Sequence, residues 1–274
     1  MTESSGRIAS LAMYLAPPPV AEATDALWAF VARRLTDAGM AWVPGTLDRS
    51  ISHDDAWMRP DLLLSQTCGY PYVTSLRGNV RLVATPCYAY PGCDGPDMCS
   101  FVIVRRDAGI SSLEDLRGRT AAINSPDSNS GANLFRAVIA LIARGPLFFG
   151  KVIETGGHAA SIAAVAEGRA DCAAIDCITY GHVARFAPDD LADIVVVAET
   201  PSGPGLPLIT RASASDDEVA LLRSALEASL VDSSLVDVRD VLALTGFAVL
   251  EDGDYERLLE LEQQAVSLGY PAVA

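Results

Sequence analysis

Thr120-Ala-Ala-Ile-Asn-Ser-Pro-Asp-Ser-Asn-Ser-Gly-Ala-Asn-Leu-Phe135 is the stretch that decides the fold. Its first four residues are a short apolar run suited to a buried strand, and the apolar pattern over 133–143 predicts a helix. Between them, residues 124–131 are small and polar, the residue types that start helices. A strand passing through such a turn into a helix sets backbone N–H groups and hydroxyls at the positive end of the helix dipole. That arrangement cradles an anion without Lys or Arg. An ordinary helix cap uses the same residues and is the alternative reading of the turn taken alone.

Strands alternate with helices on both sides of this unit. Apolar runs predict strands at 7–14, 41–47, 59–65, 80–85 and 101–104 upstream, and at 152–153, 172–176 and 194–198 downstream. Helical periodicity covers 21–38, where Leu27, Phe30, Val31 and Leu35 share a face, then 112–116 and 160–167. Three further helices with acidic first turns are expected at 216–230, 235–244 and 255–268. This alternation means an α/β fold with mostly parallel sheets. We read two α/β lobes: 1–98 opens the first, 99–200 forms the second, and 201–274 returns to the first after the linker at 202–207.

Composition narrows the partners. The 274 residues are 50% hydrophobic and carry 20 Lys+Arg against 35 Asp+Glu, a net charge of −15. Such a surface repels phosphate backbones and anionic lipid, so nucleic acid is excluded as a partner. The longest apolar runs, 162–166 and 194–198, fall far short of the ~20 residues of a bilayer-spanning helix, so no membrane insertion is expected. Residues 1–7 lack a basic segment followed by an apolar one, which makes the chain cytoplasmic as written, or periplasmic if its start is trimmed or misassigned. Six cysteines form neither a dense disulfide framework nor a zinc-type pair. Only Cys87, Cys93 and Cys99 cluster, in a Pro/Gly loop without a nearby histidine; free thiols are favoured over a disulfide, and no metal or cofactor is expected.

Other candidate residues sit at strand ends and helix starts. A Gly156-Gly157 loop delivers His158 to a helix N-terminus, where it can donate to an oxyanion or serve as a packing residue. Asp176 ends an apolar strand, where α/β folds present ligand contacts, and a capping carboxylate is its alternative role. Tyr14 follows the first strand, and Tyr70 lies in the polar turn Gln66-Thr67-Cys68-Gly69-Tyr70.

Taken in order, 127–131, 157–161, 168–176, 204–208, 244–247 and 254–255 resemble the phosphate, phosphite and phosphonate substrate-binding proteins of ABC transporters, the PhnD-like group. The likeness runs over nearly the whole chain, with the Ser-x-Ser-Gly turn at 128–131 and Gly157-His158 as its most specific parts. It implies the type 2 periplasmic-binding-protein fold: two α/β lobes joined by a two-stranded hinge, with a ligand cleft that closes between them. By that resemblance Ser128, Asn129, Ser130 and Gly131 hold the oxyanion, His158 adds a donor, Tyr70 closes the site from the other lobe, and Asp176 meets an amino group on an aminophosphonate; Tyr14 is a further candidate ligand contact from its strand-end position. Asn129 stands where such proteins often have Thr. Ala159 stands where they often have an acidic residue, a change that weakens a site for an ammonium.

The function this implies is capture of a small phosphorus oxyanion or phosphonate for an ABC permease, with no catalytic residue. Two alternatives use the same fold: an enzyme of the menaquinone-biosynthesis or thiamine-pyrimidine type, and a cytosolic ligand-sensing module.

Overall fold

Two five-stranded sheets organise the chain, for which the computed structural model describes residues 6–274. The reading of an absent export signal at 1–7 falls largely outside the described residues. In chain order the strands are β1 (Ile8–Ser10), β2 (Leu62–Gln66), β3 (Val80–Tyr88), β4 (Cys93–Asp94), β5 (Asp97–Met98), β6 (Ser100–Arg105), β7 (Thr120–Ile123), β8 (Lys151–Glu154), β9 (Cys172–Asp176), β10 (Ile194–Glu199), β11 (Gly203–Pro204), β12 (Leu208–Arg211) and β13 (Leu244–Ala248). The α-helices are α1 (Pro18–Asp37), α2 (His53–Trp57), α3 (Gly69–Pro71), α4 (Leu134–Ala140), α5 (His158–Ala166), α6 (Cys177–Phe186), α7 (Asp216–Val231), α8 (Val236–Leu242) and α9 (Glu256–Ser267). Wider π-helical turns continue α3 at Tyr72–Leu76 and precede α4 at Asn129–Asn133.

The first unit comprises the residues up to Ala89 together with Gly205–Asp252. Its sheet runs β1-β2-β12-β3-β13, with β1 and β2 parallel and every other neighbouring pair antiparallel. Helix α1 starts on its proline run, since Pro18 and Pro19 fill first-turn positions where no amide hydrogen is required. Leu27, Phe30, Val31 and Leu35 are all buried, as the periodicity predicts, and α1 lies against α7 and α8. The expected strand at 41–47 does not form: Pro44 and Gly45 interrupt it, Trp42 adopts φ 62°, and the Trp28 indole donates to the Pro44 carbonyl at 3.1 Å.

Tyr90–Pro204 and Gly253–Ala274 make the second unit. Its sheet order is β10-β6-β9-β7-β8, parallel where β7 meets β8 and β9, antiparallel where β6 meets β9 and β10. Across the two large sheets three pairings are parallel and five antiparallel. The sheets are therefore mixed rather than mostly parallel: no α-helix separates β6 from β5 or β12 from β11, as a parallel crossover would require, and β3 runs antiparallel to both β12 and β13. The core of this unit packs Val102, Leu116, Ala121, Phe135 and Ile139 with Ala265 and Tyr270 from the C-terminal segment. Residues 253–274 thus belong here and not to the first unit, as the 201–274 reading had it; the Ala274 carbonyl accepts from the amides of Phe148 and Phe149 at 2.6 and 2.9 Å.

The Pro/Gly/Cys loop folds into the β4–β5 hairpin, which β11 joins as a third strand. All six cysteines are free thiols. Cys87 lies in the first unit on β3; in the second unit Cys93 and Cys177 bring their sulfurs to 3.4 Å. Among the described residues no helix is long and apolar enough to cross a membrane.

Candidate functional site

The turn between β7 and α4 gathers most of the predicted residues. Ser128 caps it: its side chain accepts from the Gly131 amide at 3.1 Å, and its carbonyl accepts from Asn133 N at 2.9 Å. Asn129 and Ser130 follow at the leading edge, where a helix offers its own amides no acceptor. Their side chains are buried, at 1% and 3% exposure. Gly131 is required by close approach, since a Cβ there would lie 2.7 Å from Asn124 Cγ. Asn124 in turn accepts from the Ser161 hydroxyl at 3.2 Å, and Ser161 pairs with Thr155 at 2.6 Å. Beneath the turn the Ser100 hydroxyl donates to the Ser130 carbonyl at 3.0 Å, and Thr200 Oγ1 accepts from the Ser100 amide at 2.8 Å.

His158, first residue of α5, connects the turn to β9. Its Nε2 lies 2.7 Å from Ser130 Oγ and 3.1 Å from Asp176 Oδ2. A carboxylate oxygen only accepts, so the proton belongs on Nε2, and Ser130 Oγ shares it as the second acceptor. The Ser130 hydroxyl hydrogen is thereby not used on His158. Burial pushes the His158 pKa down, against the opposing pull of Asp176 and the Ala174 backbone. Its side chain is still 13% exposed.

Asp176 takes the capping role given above as its alternative. Its Oδ1 accepts from the Ile178 and Thr179 amides at 3.1 and 2.8 Å, capping α6, while Oδ2 holds His158. Helix α6 itself was not legible in the sequence, because β9 runs into it with no turn residues and Ile178, Thr179, Gly181 and Val183 are weak helix formers. On that helix His182 is buried, with Tyr90 Oη 3.0 Å from its Nδ1.

In the first unit the corresponding strand-to-helix turn follows β2. The Gln66 side chain donates to the Leu206 carbonyl at 3.1 Å, the Gln66 carbonyl accepts from the Trp57 indole at 2.9 Å, and Thr67 Oγ1 donates to the Cys68 carbonyl at 3.2 Å. Tyr70 is buried in α3, and the hydroxyl of Tyr72 donates to the Asp252 carboxylate. Tyr14 is half-buried and meets the Tyr88 ring edge-on at 6.0 Å. Thus Ser128, Asn129, Ser130, Gly131, His158 and Asp176 come together in the second unit, and Tyr14 and Tyr70 belong to the first. Asn124, Asn133 and Ser161 were not singled out as candidates from the sequence. Of these, Asn124 directly after β7 and Ser161 one turn beyond His158 carried a usable signal.

Among the described residues no group of three or more His, Cys, Asp or Glu side chains is placed to hold a metal ion.

Solved structures define the class first: the chain has the fold of the periplasmic binding proteins. A binding-protein component of an ABC phosphonate transporter from Pseudomonas aeruginosa superposes with a TM-score of 0.77 at 18% identity, covering 96% of this chain and 88% of the other. PhnD1 from Prochlorococcus marinus, solved with methylphosphonate, gives 0.74 at 15% identity, over 94% and 97% of the two chains. A Xanthomonas citri protein bound to chloride gives 0.72 at 18% identity, over 96% and 99%. No curated protein matches the sequence. Residues 61–255 match the family described as ABC transporter, phosphonate, periplasmic substrate-binding protein, and the chain belongs to that family.

Proposed function

We propose that the turn at 128–131 is the oxyanion site of this binding protein and that it takes the phosphoryl oxygens of a small phosphonate such as methylphosphonate, with phosphate and phosphite as its nearest competitors. The observation that carries the reading is Asn129 Nδ2, buried and without a hydrogen-bond partner among the described residues. A buried donor without an acceptor costs about 1–3 kcal/mol, a cost that a bound anion removes. Beside it the Ser130 hydroxyl is oriented outward by His158, and the helix start adds its dipole. Tyr70 and Tyr14 belong to the proposal as contacts from the first unit, and an ABC permease in the periplasmic setting of the family is the partner that receives the ligand.

Release without chemistry fits the same geometry. Ser130, His158 and Asp176 touch in sequence, yet both the hydroxyl and the carboxylate lie on Nε2. A nucleophilic relay needs them on opposite ring nitrogens, so that one accepts the serine proton while the other is held. Calorimetric titration with methylphosphonate, phosphite, phosphate, sulfate and 2-aminoethylphosphonate tests the reading. Saturable one-to-one binding of a phosphorus oxyanion, recovered unchanged afterwards, supports it. Absence of binding by all of them, or steady turnover of any, overturns it.

A further inference from the structure

We infer that Arg136 and Asn133 are positioning residues that fix which end of the Asn129 side-chain amide faces the ligand, an inference resting on the oxyanion role proposed for the 128–131 turn. Arg136 is 7% exposed on α4. Its guanidinium donates to Asn133 Oδ1 at 2.5 Å and to the Pro271 carbonyl at 3.1 Å, with Glu262 at 3.5 Å. Asn133 Nδ2 donates to the Leu258 carbonyl at 3.1 Å and to Asn129 Oδ1 at 3.3 Å.

The direction of every bond in this chain is forced. A guanidinium has only donors, so Asn133 must turn its oxygen toward Arg136. A backbone carbonyl has only lone pairs, so the Asn133 nitrogen must face Leu258, and the same nitrogen then demands the oxygen of Asn129. What Asn129 has left is its NH2 group, the buried donor without a partner. Were the relay reversed, Asn129 would offer an oxygen and repel an anion. The positive charge of Arg136 also stands at the root of the relay and polarises each bond outward. Leu258 and Pro271 lie 125 and 135 residues from their partners, so α9 and the segment after it set the polarity of a turn early in the second unit.

A double-mutant cycle on the full-length protein tests this, with methylphosphonate and inorganic phosphate as probes and calorimetry as the readout. Asn129→Ala is expected to weaken binding about tenfold, and Arg136→Gln, which can turn an oxygen toward Asn133, by a similar factor. Because Arg136 acts through Asn129, the double variant is expected to lie within about threefold of the weaker single variant. Arg136→Lys, which still only donates, is expected to stay within about threefold of the unmodified protein. Should Arg136→Gln fail to fold, Asn133→Ala takes its place in the same cycle. Losses that multiply in the double variant, an unaffected Asn129→Ala or Arg136→Gln, or equal losses in the Lys and Gln variants overturn the inference. If the unmodified protein binds and Ser130→Ala weakens it while the cycle is additive, only the relay fails. If neither probe binds the unmodified protein, or Ser130→Ala binds as it does, the oxyanion reading fails and the relay with it.

Discussion

Each unit sends a strand through a polar turn into a π-helical segment, β2 into 69–76 and β7 into 129–140, and the two turns use their polar atoms differently. Around the β2 turn, Gln66, Thr67, Tyr72 and Thr74 all bond to protein carbonyls or carboxylates. Around the β7 turn Asn129 and Ser130 are buried, but the bonding stops short at Asn129 Nδ2, and Ser130 Oγ pairs with His158 instead of donating to a protein carbonyl. The same backbone device thus yields a satisfied turn in one unit and a turn short of an acceptor in the other. Helix geometry is common to both turns, and the proposal for the β7 turn rests on the buried donor left over there.

The widest separation between the two is expected from Asp176→Ala. It removes the cap of α6 and leaves His158 without its carboxylate, for a loss of about 3–4 kcal/mol by denaturant titration. A loss below about 1 kcal/mol would show that neither contact matters. Acid comes next. His182 is held down to about 4 by burial, with Arg185 adding to the effect and Asp176 opposing it. An unfolded chain takes up that proton near pH 6.5, so the stability of the second unit is full above 6.5 and falls as pH drops toward 4, by up to about 3 kcal/mol. In the first unit burial raises the Glu218 pKa, but Arg211, the Ser215 amide and Arg7 outweigh it and bring it down to about 2 from 4.5. Its contribution persists to pH 4.5 and fades below. Hydrogen exchange is therefore expected to loosen the second unit at milder acidity than the first, and His182→Gln to flatten the difference. Simultaneous loosening in the unmodified protein would contradict this.

Within the proposed site, Ser130→Ala is expected to weaken methylphosphonate binding by about 1–3 kcal/mol, and unchanged affinity would remove the anion reading. The smallest effect belongs to Thr67→Ala in the β2 turn, below about 0.5 kcal/mol in affinity, because that hydroxyl already has its partner. A loss equal to that of Ser130→Ala would erase the distinction between the turns.

Much of this was legible in the chain. The bounds of β7 and β9 follow from their apolar runs, and the small polar residues at 124–131 mark the turn. Helix α6 was hidden, since its start signal is the last residue of a strand. The mixed sheets and the place of 253–274 depend on pairings between distant segments, which no local pattern encodes. Asn133 and Arg136 read as ordinary helix residues, and only Leu258 and Pro271, far along the chain, reveal what they do.

The proposed cradle of amides and one hydroxyl, inside a protein of net charge −15, also has a kinetic signature. The long-range field opposes an approaching anion, whereas the bonds that retain it act only at contact. At roughly 0.1 M ionic strength the field is screened beyond about 10 Å. Added salt should therefore speed capture and leave the residence time nearly unchanged, opposite to the salt dependence of electrostatically steered binding.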